Sequence, residues 1–376
     1  MKRFCIIIYL TLLGIGNIFA CTSAIVGAEL NPYGRPLLWK NRDTGNLDNK
    51  IEYVPAKDGE FGFVALFNSS DSLCKEAWIG MNEYGFAVMN TASYNLKDDN
   101  VAQKDMDKEG LIMAKALKSC KTVADFEELL QNYPRPMGVE ANFGAIDAYG
   151  NGAYFETNNH SFTKYDIKDS PDHILIRTNY SVSGRENEGY GFIREANAIH
   201  LLKPFIETKS VTPEVFTENL SRSFYHSLLD MDYSDSKSEW VIDQDFIPRY
   251  SSSATIVIEG CKPLQVDEEI SRDFIVPQYI MWSGLGYPPC SEILPVWCSE
   301  NGVDNSLRGI GINGHSEQSD IVMERKNLVF PFKKGNGDKY IHMRELFNED
   351  NTGFVQVLTP QNLQIYSKTR DIRDNN

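Results

Sequence analysis

A short apolar run that stops against a cysteine narrows the possible folds of this chain more than any other feature. Lys2 and Arg3 form a basic opening, Phe4 through Ile15 are almost unbroken in their apolar character, and smaller residues lead to Ala20, directly before Cys21. That is the layout of a secretory leader cut after Ala20. The run is too short to cross a bilayer comfortably, and no other stretch approaches that length. The expectation is an exported chain, periplasmic or extracellular, with a signal peptide over 1–20 and one domain over 21–376. Its first residue would be Cys21, heading a strand-like run around Ile25 and Val26. A cysteine after such a leader is also where a bacterial lipoprotein takes its diacylglycerol. Ile18-Phe19-Ala20-Cys21 fits that pattern in Ala20 but not in the bulky Phe19. The competing expectation is therefore a lipid-anchored, non-catalytic binding protein on a degenerate version of the same fold, because a lipidated sulfur cannot attack anything.

Charge removes other classes. The chain carries 37 basic and 52 acidic side chains, and loss of the leader would take two of the basic ones. So acidic a surface repels phosphate backbones and anionic lipid, which excludes nucleic acid and polybasic membrane docking as expected partners. The six histidines are scattered, without an HExxH or a paired ligand spacing, and the seven cysteines show no CxxC. No metal and no cofactor are expected.

Local patterns alternate hairpins with helices. Asn31-Pro32-Tyr33-Gly34 is a turn between two strand-like runs, 21–30 and 35–40. Further hairpins are expected over 77–90 and 142–156, and a strand over Ala254–Glu259. Helices are expected over 103–120, after Thr122 with Asp125 three residues on, over 191–203 ending before Pro204, and from Thr212-Pro213. Groups of hairpins and helices without βαβ spacing predict an α+β chain of layered sheets covered by helices.

A mature N-terminal cysteine joins two useful groups on one residue. Its thiol has a reference pKa of roughly 8.5 and its α-amine one of roughly 7.7–8.0, so the amine can serve as base for the thiol, as in N-terminal threonine enzymes. The residues that follow add a resemblance. Cys21-Thr22-Ser23, then Lys40-Asn41-Arg42-Asp43 after a hairpin, resembles the opening of the choloylglycine hydrolase and penicillin V acylase family, and is similar to the acyl-coenzyme A:isopenicillin N acyltransferase group. Gly80-Met81-Asn82-Glu83-Tyr84-Gly85-Phe86 resembles the family's Gly-x-Asn-Glu-x-Gly-Leu hairpin, with Asn90 near its oxyanion asparagine. Leu175 to Asn179 resembles its Leu-Thr-Asn strand, and Phe192-Ile193-Arg194 its Phe-Ile-Arg helix start.

The resemblance spans roughly Cys21 to Ala198, and it implies a four-layer αββα sandwich of the N-terminal-nucleophile hydrolase kind. It implies Cys21 as nucleophile and, through its amine, general base; Asp43 as the group that holds the amine; Asn179, with Asn90, as oxyanion donors; and Arg194 as electrostatic support. Lys40, Arg42 and Asn82 would support the site or the substrate. Two departures stand out. Lys40 occupies the family's arginine position, and Asn90 lies two residues closer to Gly80 than the bile-salt hydrolases have it. The implied reaction is cleavage of a linear amide through a thioester, with hydrolysis and acyl transfer to an amine both open. The partner would be a small-molecule amide. Bile-acid conjugates, penicillins, N-acyl amino acids and small peptides all fit, and so does a homo-oligomer.

Overall fold

The computed structural model describes residues 21–235, 238–332 and 339–374; the leader expected over 1–20 lies outside them. Strand β1, Thr22–Val26, is followed by a tight turn in which the Asn31 side chain accepts from the Tyr33 amide at 2.7 Å and Gly34 takes φ 66°. The chain returns as β2, Leu37–Asp43. Both strands are buried along their whole length, so each presents side chains to two packed faces.

Seven strands then run as an antiparallel meander in chain order: β3 Asn49–Val54, β4 Phe63–Asn68, β5 Ile79–Asn82, β6 Ala87–Ala92, β7 Ala141–Ile146, β8 Gly152–Thr157 and β9 Phe162–Asp166. The other sheet has six strands. Its order is β10 (Ile174–Arg177), β1, β2, then the strands Ser252–Glu259, Ile280–Leu285 and Leu294–Val296, all antiparallel. The expected hairpins and the Ala254–Glu259 strand are therefore present.

Three buried clusters fix the layers. Ile25, Leu38, Val64, Met81, Met89 and Ile256 meet between the two sheets. Phe63, Val88, Phe143 and Phe155 pack under helices α1 (Glu109–Ser119) and α2 (Val123–Asn132). Ala24, Trp39, Val257 and Trp282 pack under helix α3 (Phe192–Glu207) and, through Tyr366, under the C-terminal helix. Helix on sheet, sheet on sheet, sheet on helix is the αββα order. Each large apolar side chain so buried stabilises the fold by roughly 1.5–3 kcal/mol.

Helix ends differ from expectation in three places. The 103–120 stretch begins its α-helix only at Glu109, because Gln103–Asp105 forms a separate 3-10 turn and Asp107 adopts φ 63°. Helix α3 continues past Pro204 to Glu207. A proline that late removes one amide near the last turn, and the Pro204 carbonyl still accepts from Thr208 Oγ1 at 2.8 Å. The segment opened by Pro213 becomes a π-type turn, Val215–Leu220. The Thr122 cap forms as expected, a reciprocal box with Asp125. The remaining described α-helices are α4 Arg272–Gln278, α5 Glu317–Val329 and the long C-terminal α6 Phe354–Asp374. None of the described helices is long and apolar enough to cross a membrane.

Candidate active site

Strand period two sorts the β1 and β2 side chains into two sets. Ile25 and Leu38 belong to the core between the sheets, whereas Ala24, Leu37 and Trp39 belong to the core under α3. By the same parity Cys21, Lys40 and Arg42 face the second sheet, and Asn41 and Asp43 face away from it. The β1–β2 register pairs Thr22 with Asn41, so one further step sets Cys21 opposite Arg42, at the end of β2 that carries Asp43. The thiol is 3.8 Å from the Asp43 carbonyl oxygen.

At this edge the sheets part into a cleft of about 360 Å³. Cys21, Lys40, Arg42 and Asp43 line it from one sheet, Asn90 and Ala92 from the other, and Trp78, Tyr94, Met106 and Glu109 from neighbouring segments.

Asp43 is held on both oxygens. Arg249 donates to Oδ2 from Nη2 at 2.8 Å and from Nε at 3.1 Å, Ser252 Oγ donates to Oδ1 at 2.5 Å, and Asn41 Nδ2 donates to Oδ1 at 3.1 Å. The Asp43 side chain has no solvent exposure. A bulge between Ser252 and Ala254 pairs Ser252 with Asp43 and Ala254 with Arg42, which turns the serine hydroxyl onto the carboxylate. Burial pulls the Arg249 guanidinium down, but the charge and hydrogen bonds of Asp43 outweigh it and hold it above its ordinary value.

Across the cleft, Lys40 Nζ donates to Asn90 Oδ1 and to the Trp78 carbonyl, each at 2.8 Å. An ammonium can only donate, so it fixes the Asn90 amide with its oxygen toward Lys40 and its NH₂ toward the cleft. That NH₂ has no hydrogen-bond partner among the described residues. Burial pushes the Lys40 ammonium down to about 8, against the opposing charge of Cys21. Arg42 donates to Asn68 Oδ1 at 2.7 Å and to Asn49 Oδ1, and its guanidinium lies 4.9 Å from the centre of the Trp78 ring. Burial likewise lowers it, to about 10, with the Cys21 charge acting the other way.

Arg194 and Asn179 sit behind the cysteine. Arg194 Nη1 donates to the Cys21 carbonyl at 2.6 Å and to Thr22 Oγ1 at 2.8 Å, and Nη2 donates to Asn179 Oδ1 at 2.9 Å. Asn179 Nδ2 in turn donates to the Ala92 carbonyl at 2.8 Å. Burial and the nearby Arg249 charge lower Arg194 to about 10. Asn179 is fully buried and does not line the cleft. The amide that faces the cleft is that of Asn90, two residues short of the family spacing.

Asn82 is elsewhere. Its amide donates to the Leu117 and Cys120 carbonyls at 2.9 and 2.7 Å and accepts from the Tyr84 and Phe86 amides, which spends its capacity on tying the β5–β6 turn to the end of α1 and leaves nothing for a substrate. The structure thus brings Cys21, Lys40, Arg42, Asp43, Asn90, Asn179 and Arg194 together and separates Asn82 from them. Arg249 and Ser252 were missed by sequence reasoning. They stand more than 200 residues from Asp43, and an Arg-Tyr-Ser-Ser run before a strand carries no local signal.

The remaining described thiols behave differently from a nucleophile in a cleft. Burial pushes Cys74 and Cys261 up to about 11 and Cys120 to about 12, and raises Cys290 and Cys298 further. Cys261 donates to the Ala148 carbonyl and Cys298 to those of Gly62 and Met81, all at 3.6 Å. All six described cysteines are free. One grouping among the described residues brings metal-type donors within 4.8 Å, Asp48, His315 and Asp320, but it is outside the cleft and the imidazole is satisfied by Asp320 at 2.9 Å.

No protein-family model and no curated protein matches the sequence. Among solved structures the chain is similar to an N-acylethanolamine-hydrolyzing acid amidase ortholog from Caenorhabditis elegans, at 12% identity and a TM-score of 0.44 over 69% of this chain and 98% of that one. It is similar to a conjugated bile acid hydrolase from Clostridium perfringens at 12% identity and a TM-score of 0.41, over 74% and 92%. It is also similar to the penicillin V acylase of Agrobacterium tumefaciens at 11% and 0.36, over 74% and 86%. Likenesses of this size say nothing about activity, which has to be read from the side chains.

Proposed function

We propose that this chain is an exported amidase that works through Cys21 once residues 1–20 are removed. The observation that carries the reading is Asp43. A carboxylate buried at a strand end, gripped on both oxygens and set beside the residue that would open the mature chain, is a fixed anchor for an α-ammonium.

The freed amine takes the Cys21 thiol proton, and the thiolate attacks the carbonyl carbon of a linear amide. The oxyanion that forms accepts from the Asn90 NH₂, already aimed by Lys40 before substrate arrives. The α-ammonium returns its proton to the leaving nitrogen, the C–N bond breaks, and the acyl group remains as a thioester. Water, deprotonated by the same amine, then releases the carboxylic acid and restores the thiol; an amine in place of water would give acyl transfer. Arg194 and Asn179 keep the Cys21 carbonyl and the end of β6 in register. The competing lipoprotein reading would require two acyl chains on a sulfur that opens into about 360 Å³, which disfavours it.

The test is to mix mature protein with a slowly hydrolysed N-acyl amide and record intact mass. A transient increment of one acyl group on the Cys21 peptide, absent from Cys21→Ala, is expected. Turnover that survives Cys21→Ala would exclude the mechanism.

A further inference from the structure

The cleft holds a second ionisable group that this chemistry does not use. Glu109, the first residue of α1, is only 7% exposed and lines the same cleft as Cys21 and Lys40. One carboxyl oxygen accepts from the Glu140 amide at 3.3 Å. Its own backbone amide also donates to the carboxylate, and no described lysine or arginine forms an ion pair with the group. Two more carboxylates, Glu140 and Asp107, line the cleft beside it. Glu140 accepts from the Leu96 and Lys97 amides, both at 2.7 Å, and Asp107 from Gln103 at 2.9 Å. Three cations line the same cleft: Lys97, which is turned to Asp99 at 3.6 Å, and Lys40 and Arg42 on the other sheet, of which Lys40 feels the Glu109 charge without forming an ion pair with it.

Buried charges in folded chains are paired or they neutralise. Burial, and the like charges of Asp107 and Glu140, hold the Glu109 carboxyl up at about 7, so a cation arriving in the cleft would meet a group ready to give up its proton. The same cleft also carries an apolar and aromatic lining, Trp78, Ala92, Tyr94 and Met106.

We infer that Glu109 is a recognition site for an ammonium group, and that the substrate is an amide bearing a primary amine separated from the scissile carbonyl by an apolar segment. The substrate half of this statement rests on the amidase reading; the ammonium site does not.

The experiment separates the two. Calorimetry on Cys21→Ala protein measures binding of hexylammonium and of its neutral isostere hexanol, with Glu109 and with Glu109→Gln. Losing a buried charge partner is expected to weaken hexylammonium by about thirtyfold or more relative to hexanol. In parallel, enzyme with intact Cys21 is assayed on two pairs of amides, an ω-aminoacyl against an alkanoyl anilide and an ω-aminoalkyl against an alkyl amide. In one pair the ammonium-bearing member is expected to be preferred, and Glu109→Gln to collapse that kcat/KM ratio by a similar factor. A hexylammonium affinity indifferent to Glu109→Gln overturns the site. Ammonium binding that depends on Glu109, in a protein that hydrolyses none of the four amides, keeps the site and overturns the amidase reading. Hydrolysis with neither pair discriminated overturns the substrate class alone.

Discussion

Arg249→Met tests the structural reasoning where sequence offered no help. The substitution keeps most of the buried stem and removes the guanidinium, so Asp43 Oδ2 loses both of its donors, at 2.8 and 3.1 Å, while Ser252 and Asn41 still meet Oδ1. Stripping one partner from a buried ion pair costs about 3–5 kcal/mol. Here the lower end is expected, about 3 kcal/mol, because half of the carboxylate stays satisfied and because the Arg249 side chain retains 20% exposure. Asp43→Asn combined with Arg249→Met removes the stranded charge and should recover most of that loss. Urea unfolding of the four proteins gives the coupling directly. A double variant no more stable than Arg249→Met would refute the reasoning. Amide hydrolysis should fall in all three variants, since Arg249→Met leaves Asp43 held on one oxygen only, and Asp43→Asn, alone or combined, removes the charge that holds the α-amine.

The other predictions follow from single groups. Folded Lys40 loses its proton near 8, and with it the charge that orients Asn90, so hydrolysis should decline above that pH; Lys40→Arg, charged throughout, should abolish this limb, and an unchanged limb would count against it. Glu109 is raised from 4.5 to about 7 in the folded chain, so its contribution to stability is complete below about 4.5 and is lost as pH rises through about 7. Glu109→Gln should then be more stable than the natural protein above neutrality, by on the order of 3 kcal/mol, with the gap closing in acid when denaturant midpoints are compared. Asn82→Ala strands two carbonyls at the end of α1 and two amides in the β5–β6 turn and should cost about 2–4 kcal/mol, while the folded fraction keeps its activity per molecule.

Much of this fold could be read locally. The turn at Asn31 to Gly34, the Thr122 cap and the apolar runs of β4 and β6 are each settled by neighbours in sequence. Cys21, Lys40, Arg42 and Asp43 were legible because they sit on one hairpin whose register follows from its turn. What sequence could not supply is the third strand. Asp43 meets Arg249 and Ser252 only because β2 pairs with Ser252–Glu259 across a bulge, and such pairing is set by the whole sheet. Glu109 shows the same limit. As the first residue of a helix it reads as an ordinary acidic helix start, and only the packing of α1 beside the cleft makes it a buried acid. Asn82 failed in the opposite direction, since a motif position is equally well explained by a turn that needs all four of its hydrogen bonds.

Intact mass and N-terminal sequencing of protein made with its native leader, before and after iodoacetamide, test the state of Cys21 itself. The expected result is a chain that starts at unmodified Cys21, takes up alkyl mass on that thiol and loses hydrolysis of N-acyl amides in proportion. A chain that starts at Cys21 with diacylglyceryl mass, or one that keeps full activity with Cys21 alkylated, would contradict it.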